Sequence, residues 1–417
     1  MEKGIFDAKI YNLDNGINLI SIKRDTQIAS LHIGFKVGSL YEKANERGIS
    51  HFIEHMLFKG TKTRDNENIN DALEKRGGEY NAYTDYTCTV YNITALCEEL
   101  ESSIEILADM VQNSIFPESE IEKERGVILA EIRTSKDDIE DYSFNKINQA
   151  AFSKSPLRYD TLGEEKTVKK FTRKQLMDFY SKYYIPNNCF ITIVSPYEHH
   201  EIINLIEVYF NNWERKELNI ESVVVENNIP GKTITYKKDI EQSTIIYAFT
   251  FHGLNKKEEL ALKILNHKFG ESANSILFRE LREERGLAYD IYSHIDMTNF
   301  VKILYIYTAV EPQNVDEAIS VIDECIKKII SEDINFNEDT VNLMKKVLKT
   351  AVAATLEDST DLGNYCLHQK LEEESIYEFL EDMKNLQYIK KEDIYNVARK
   401  VFKNATIHIL TPNDKQL

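Results

Sequence analysis

Two short apolar runs, Ile10–Leu13 and Ile17–Ile22, flank the triplet Asp14-Asn15-Gly16. Asn-Gly between apolar runs predicts a β-hairpin, because glycine and asparagine tolerate the positive φ of a tight turn. Strand-like runs follow at Ala29–Val37, Tyr80–Thr84 and Thr87–Ala95. The spacing is helical through His51–Phe58, around Asn68–Arg76, and over Ile104, Leu107, Ala108 and Val111, which recur as i, i+3, i+4, i+7. A further helix is predicted after Phe116-Pro117, running through Glu131.

The second half replays this order. Strands are predicted at Thr233–Tyr236 and Ser243–Phe251, helices at Glu258–Phe269 and Ile276–Glu284, and a strand at Lys302–Val310. A helix carrying Ala318, Ile322, Cys325 and Ile329 on one face follows, then a long helix after Phe336. An internal repeat predicts an α+β fold: two homologous α/β-sandwich repeats, with antiparallel-rich sheets and helices packed on one face. The linker chemistry of Glu226-Asn227-Asn228-Ile229-Pro230-Gly231 places the join between Trp213 and Gly231, giving domains 1–220 and 221–417.

The repeats differ in chemistry. Aligning Gly60 with Gly270 sets His51, Glu54 and His55 on Ala261, Ile264 and Leu265. Aligning Phe116 with Phe336 sets Glu131 on Ala351. Either the first copy carries a polar site the fold does not need, or the second copy merely repacked. Ala, Ile and Leu are what a core-facing helix wants, which favours the first reading.

His51-Phe52-Ile53-Glu54-His55 has the form His-x-x-Glu-His. On a helix, i and i+4 share a face with i+3 beside them, so both imidazoles can hold one metal next to the carboxylate. Two imidazole nitrogens and a third protein ligand, with one position left open, suit a catalytic Zn²⁺, and Glu54 is placed as general base. The bland alternative is a pair of partly exposed histidines with an acidic neighbour. Phe52, Ile53, Met56, Leu57 and Phe58 make the helix apolar almost all round, so its polar groups need partners. The third ligand is sought on the segment 118–132, where Glu124 and Glu131 lie two helical turns apart. Glu131, between Ala130 and Ile132, is expected to be buried; the earlier acids suit the helix dipole.

Composition narrows the context. The chain has 417 residues, too many for one compact core. No run approaches the ~18 apolar residues of a membrane span, and the opening Met1–Asp7 lacks an apolar signal core. Five cysteines, an odd number without a CxxC pair, fit free thiols in a reducing cytoplasm. A net charge of −18 disfavours nucleic acid as a partner. The acids either line a cavity, favouring basic ligands, or simply solvate the surface.

With these residues in hand, the chain resembles the insulinase/pitrilysin family of metallopeptidases, and within it the half-length bacterial members related to the mitochondrial processing peptidase β subunit. The resemblance rests on 51–61, His-Phe-Ile-Glu-His-Met-Leu-Phe-Lys-Gly-Thr, and on 124–132, Glu-Arg-Gly-Val-Ile-Leu-Ala-Glu-Ile, and spans nearly the whole chain. It implies that His51, His55 and Glu131 hold one Zn²⁺ per chain, that Glu54 is the base, and that Glu124 orients the site. It implies that peptides add as a β-strand along Gly77–Thr84, with contacts at Asn81 and Ala82. It implies that Arg282 and Tyr289 reach substrate near the scissile carbonyl, where a guanidinium and a phenol stabilise an oxyanion. Full-length relatives close four domains around a chamber; this chain carries both sets of parts in two, which implies a clamshell homodimer acting on unfolded peptides. Two departures stand out: one glycine only in 269–278, and Ser195 where glycine is usual. The rival readings are a non-catalytic subunit of a peptidase-like heteromer and another zinc hydrolase, such as an amidohydrolase.

Overall fold

The structure, a computed structural model, describes residues 6–220 and 222–412. Met1–Ile5, part of the opening read for a signal core, and Glu221 within the expected linker lie outside the described residues.

The chain forms two units that are not contiguous in sequence. The first comprises the chain up to Arg133, Asp160–Val223 and Ala353–Ile376; the second comprises Thr134–Tyr159, Val224–Val352 and Tyr377 onward. A single cut at 220 therefore does not describe the units. Each repeat lends the other unit a segment, and the linker is one of several crossings.

The first unit is built on six strands: β1 (Asp7–Asn12), β2 (Asn18–Lys23), β3 (Ile28–Phe35), β4 (Glu79–Thr84), β5 (Thr89–Leu96) and β6 (Cys189–Ser195). They lie in the order β1-β2-β6-β3-β5-β4, antiparallel except for β2 beside β6. The predicted hairpin is β1–β2, turning at Gly16 with φ 98°. The second unit holds β7 (Gly231–Lys237), β8 (Ser243–Thr250), β9 (Ala288–Met297), β10 (Lys302–Val310) and β11 (Thr406–Pro412), in the order β7-β11-β8-β10-β9. Only β7 and β11 are parallel there. β4 and β9 are each the last strand of their sheet and lie beside a central hairpin partner, as duplication requires.

Helices pack on the sheets beyond the single layer expected. In the first unit Leu100–Asn113 and His199–Phe210 contact the sheet, and the helix Ser359–Leu371 lies on β3 and β6. Its approach is close: a Cβ on Gly363 would meet His32 Nδ1 at 2.9 Å, and one on Gly34 would meet Leu367 at 3.0 Å. In the second unit Ile139–Ala151 plays the same part on β8 and β11. Its Phe144 meets Tyr305 edge to face and stacks on Tyr307, while Ser143 bonds Thr244 at 2.6 Å and Asn148 accepts from the Tyr305 hydroxyl at 2.6 Å. The opposite side of that sheet, with Leu304 and Ile306, packs into an apolar core with Ala261, Ile264, Leu265, Ile322 and Ile329.

The helix expected at Glu258–Phe269 runs Lys256–Asn266 and then widens at His267–Glu271, where Ser272 N–H bonds the His267 carbonyl five residues back. The helix expected over 276–284 is present, but it takes the wider π form over Phe278–Glu283. No helix among the described residues is long and apolar enough to cross a membrane.

Each sheet buries one histidine, and each imidazole is held neutral. Burial, aided by His368, pushes His32 down to about 4, and burial, aided by Lys146, pushes His408 down to about 4. The unfolded chain takes up these protons near 6.5, so stability is full above that pH and falls as pH drops toward 4. Each histidine should cost on the order of 3 kcal/mol across this window. Buried Glu42, whose carboxyl is pushed up to about 7, works in the opposite sense, but the two histidines together outweigh it. Melting temperature should therefore fall as pH drops below 6.5, and His32→Gln should flatten the fall. An equal fall in that variant would remove His32 as its source.

Candidate metal centre

The helix Ile49–Leu57 carries the His-x-x-Glu-His motif. It starts at Gly48, whose φ of 91° is left-handed and whose added Cβ would strike the Leu162 carbonyl at 2.6 Å, so only glycine fits. Its first N–H groups are satisfied from outside. The buried Glu42 carboxylate accepts from Gly48 N–H at 2.8 Å and Ser50 N–H at 2.9 Å. Burial pushes Glu42 up to about 7 against those two donors. Ile49, Phe52, Ile53, Met56 and Leu57 are buried, which fixes the face on which His51 and His55 stand.

The partner helix, Glu118–Asp137, follows Phe116, a fully buried residue with φ 46°. Arg173 ties this turn down by donating to the carbonyls of Phe116 and Ile115 at 2.9 and 2.6 Å. Arg125 donates to the carbonyls of Val168 and Phe171, and its guanidinium lies 5.7 Å from the Phe52 ring centre. The two site-bearing helices are thus locked to each other beside Glu124 and Glu131.

His51, His55 and Glu131 converge. The two Nε2 atoms are 3.3 Å apart, and Glu131 Oε2 lies 3.9 Å from His51 Nε2 and 3.5 Å from His55 Nε2. Ligands bonded at about 2.0–2.1 Å to a tetrahedral ion sit about 3.3–3.4 Å from one another. The three observed separations lie at that spacing or up to about half an ångström above it, so the group could hold a metal ion. Glu131 Oε2 is buried without a hydrogen-bond partner, which a cation would resolve. This triple is the one group of metal-ligand type among the described residues. Glu131 itself was expected buried; its side chain is 41% exposed, and only the oxygen facing the histidines is sequestered.

Glu124 sits behind this triple. Its Oε2 is 3.0 Å from His55 Nδ1 and its Oε1 is 3.0 Å from Lys59 Nζ. A proton on Nδ1 leaves Nε2 as a lone pair facing Glu131, which is the tautomer a metal requires. Burial would raise the Glu124 carboxyl, but His55 and Lys59 outweigh it and hold it low. Burial pulls His55 down, yet Glu124, Glu131 and Glu54 together raise it above its ordinary value. Burial, with His55 adding to it, pushes His51 down to about 3, so its imidazole is neutral and available as a ligand.

Glu54 is buried beside the triple, and Thr84 Oγ1 donates to its Oε2 at 2.6 Å. Burial raises this carboxyl against the pull of Thr84 and His55. A raised carboxylate beside a metal position suits a base that must both take and return a proton.

Asn81 and Ala82 lie on β4, an edge strand whose residues Glu79–Asn81 are exposed. Ala82 N–H is held by Asn81 Oδ1 at 2.9 Å, so a peptide using that donor has to displace the amide. Arg282 and Tyr289 lie in the second unit, where the guanidinium stands 4.7 Å over the Tyr289 ring and 4.9 Å over Phe278. Tyr289 is 76% exposed. The single glycine of the preceding loop, Gly270, sits where an added Cβ would meet Ser293 Oγ at 2.3 Å. The counterparts Ala261, Ile264 and Leu265 are buried in the apolar core, whereas Ala351 is exposed.

Sequence reasoning missed Glu42, Lys59 and the role of Thr84. Strand alternation from Ala82 could have set Thr84 on the same face, but nothing local marks Glu42 as the cap of a helix several residues on.

Known proteins match at the level of the whole chain. The family profile described as "Insulinase (Peptidase family M16)" matches residues 19–165, and "Peptidase M16 inactive domain" matches 170–348. A Rickettsia felis protein named an uncharacterized zinc protease is 32% identical over 97% of this chain and 98% of its own length. The Bacillus subtilis uncharacterized zinc protease YmxG is 28% identical over 84% of this chain and 85% of its own. In fold, a protease from Helicobacter pylori superposes with a TM-score of 0.91 at 21% identity, covering 98% of this chain and 100% of that one. The matches run through both repeats, and the zinc-motif helix falls within the first matched segment, so the chain belongs to the insulinase family of peptidases, M16.

Proposed function

We propose that the chain is a zinc-dependent endopeptidase, with His51, His55 and Glu131 holding one Zn²⁺ and Glu54 acting as general base. The observation that carries this reading is the convergence of the three ligand atoms, 3.3 to 3.9 Å apart, beside a buried carboxylate. Zinc in such a site supplies Lewis-acid polarisation of the peptide carbonyl and a more acidic water. Glu54 takes the proton of the attacking water at Oε1, the oxygen that Thr84 leaves free, and returns it to the leaving amine. Glu124 keeps His55 in the Nδ1–H tautomer throughout. Peptide main chain lies along β4 at Asn81 and Ala82, reading backbone more than side chain.

Arg282 and Tyr289, stacked and exposed, are suited to stabilising the oxyanion when supplied by a second copy of the chain in a clamshell homodimer. Five free thiols support a reducing, cytoplasmic setting. A non-catalytic role draws no support from the match to the inactive domain, because that segment, 170–348, is the repeat with Ala261, Ile264 and Leu265 in place of the motif.

Hydrolysis of an unstructured, quenched fluorescent peptide library tests the reading. Activity should vanish with a chelator, return with Zn²⁺, and elute at the volume of a dimer. A protein that binds zinc and cuts no peptide would move the non-catalytic subunit to the front; cleavage of small amides alone would favour another zinc hydrolase. An active strict monomer would remove the homodimer.

A further inference from the structure

We propose that Thr84 is a positioning residue for Glu54, and that the strand receiving the peptide and the base are thereby held as one unit. The proposal rests on the peptidase reading above and goes beyond it by assigning a residue that neither contacts the metal ligands nor belongs to the motif.

β4 alternates its side chains, with Tyr80, Ala82 and Thr84 on one face and Glu79, Asn81 and Tyr83 on the other. Its last two residues are fastened on opposite sides. Thr84 Oγ1 donates to Glu54 Oε2 at 2.6 Å. Tyr83 donates its hydroxyl proton to Asn364 Oδ1 at 2.7 Å, and the same oxygen lies 2.7 Å from His368 Nε2, which donates to it. The Tyr83 ring also lies parallel to the His368 imidazole, 8° between planes. Asn364 and His368 belong to the helix Ser359–Leu371, which is seated on β3 and β6 through the close contacts at Gly34 and Gly363. The end of an otherwise exposed edge strand is therefore clamped between two packed helices.

This clamp has a chemical use. A glutamate carboxylate rotates about its terminal bond and presents either oxygen unless one is held. Thr84 holds Oε2, which leaves Oε1 as the oxygen free of that hydrogen bond and able to take a proton. The hydroxyl that does this sits two residues from Ala82, on the strand where the substrate backbone lies. A peptide in register along β4 and the base that serves its scissile bond share one rigid reference, which is the condition for a near-attack geometry. The alternative is that Thr84 only satisfies a buried carboxylate and contributes to stability.

The test compares kcat and KM of the zinc-loaded wild type, Thr84→Val and Thr84→Ser on one quenched peptide, together with zinc dissociation constants from a competing chelator and melting temperatures. Valine keeps the shape and the strand preference and deletes the donor; serine keeps the donor. Thr84→Val should lower kcat about tenfold to a hundredfold, with KM and the zinc dissociation constant each within about threefold. Thr84→Ser should recover kcat to within about threefold of wild type. Tyr83→Phe, which keeps the stacked ring and loses the hydroxyl clamp, should lower kcat in the same direction by less. The proposal is overturned by unchanged kcat in Thr84→Val, by an equal loss in Thr84→Ser, or by a loss confined to KM, zinc binding or melting temperature. Unchanged kcat in Tyr83→Phe overturns the clamp. A wild type that cleaves no peptide fails the peptidase reading itself, an outcome distinct from each of these.

Discussion

Glu54→Gln is expected to lower kcat by about 10²- to 10⁴-fold while leaving stoichiometric zinc in place. The amide keeps the size of the carboxylate and can still face Thr84, so the buried pocket is preserved. It cannot accept the proton of the attacking water. His51, His55 and Glu131 are untouched, and Glu54 is not one of the three converging groups. The measurement is single-turnover hydrolysis of the quenched peptide alongside metal content by atomic absorption. A variant that keeps its zinc and still cleaves at a tenth of the wild-type rate or better would take the base role away from Glu54. A variant that loses its zinc would make Glu54 part of the metal-holding set, contrary to the geometry.

Glu124→Gln should weaken zinc binding by about 10- to 100-fold and lower activity only as far as metal is lost. The carboxylate accepts from His55 Nδ1 and from Lys59 at 3.0 Å each. The amide keeps one acceptor oxygen, but removes the charge that favours the Nδ1–H tautomer, and its NH₂ group confronts Lys59. Saturating Zn²⁺ should therefore restore most of the rate, in contrast to Glu54→Gln. Zinc titration against a fluorescent chelator reads this directly. An unchanged dissociation constant would mean that the packing of the His51–His55 helix alone orients His55.

The contrast between these two glutamates shows what the sequence could reveal. His51, Glu54 and His55 are legible because helical spacing alone brings i, i+3 and i+4 together. Glu124 and Glu131 are legible as a pair two turns apart, though their split into one residue behind His55 Nδ1 and one beside the two Nε2 atoms is a matter of tertiary packing. Glu131 was expected buried because of its neighbours, yet Ala130 proves exposed and only the inward carboxylate oxygen is enclosed. Glu42 capping Gly48 and Ser50, and Thr84 holding Glu54, depend on loops and strand ends meeting across the fold, and no local period records that. The helix Ser359–Leu371 is hard to read from sequence for a related reason. It carries Gly363, Asn364 and His368 toward a sheet, so its buried side is not uniformly apolar and the amphipathic signal is weak. β9 gives no clear alternation in the sequence, being an edge with mixed burial.

The segments each repeat lends the other unit bear on how such a chain could arise. A single-repeat ancestor of this design has a helix like Ile139–Ala151 with no sheet of its own to cover, and a sheet left open over positions such as His32 and Gly34. Trading helices with a second molecule would satisfy both, at whatever concentration the cell provides. Gene duplication with a linker replaces that encounter by an intramolecular one, for which the effective concentration is set by the linker rather than by expression. Once tethered, the two copies no longer need identical chemistry, and one is free to carry Ala261, Ile264 and Leu265 where the other has the His-x-x-Glu-His motif, while still lending it the helix that closes its fold.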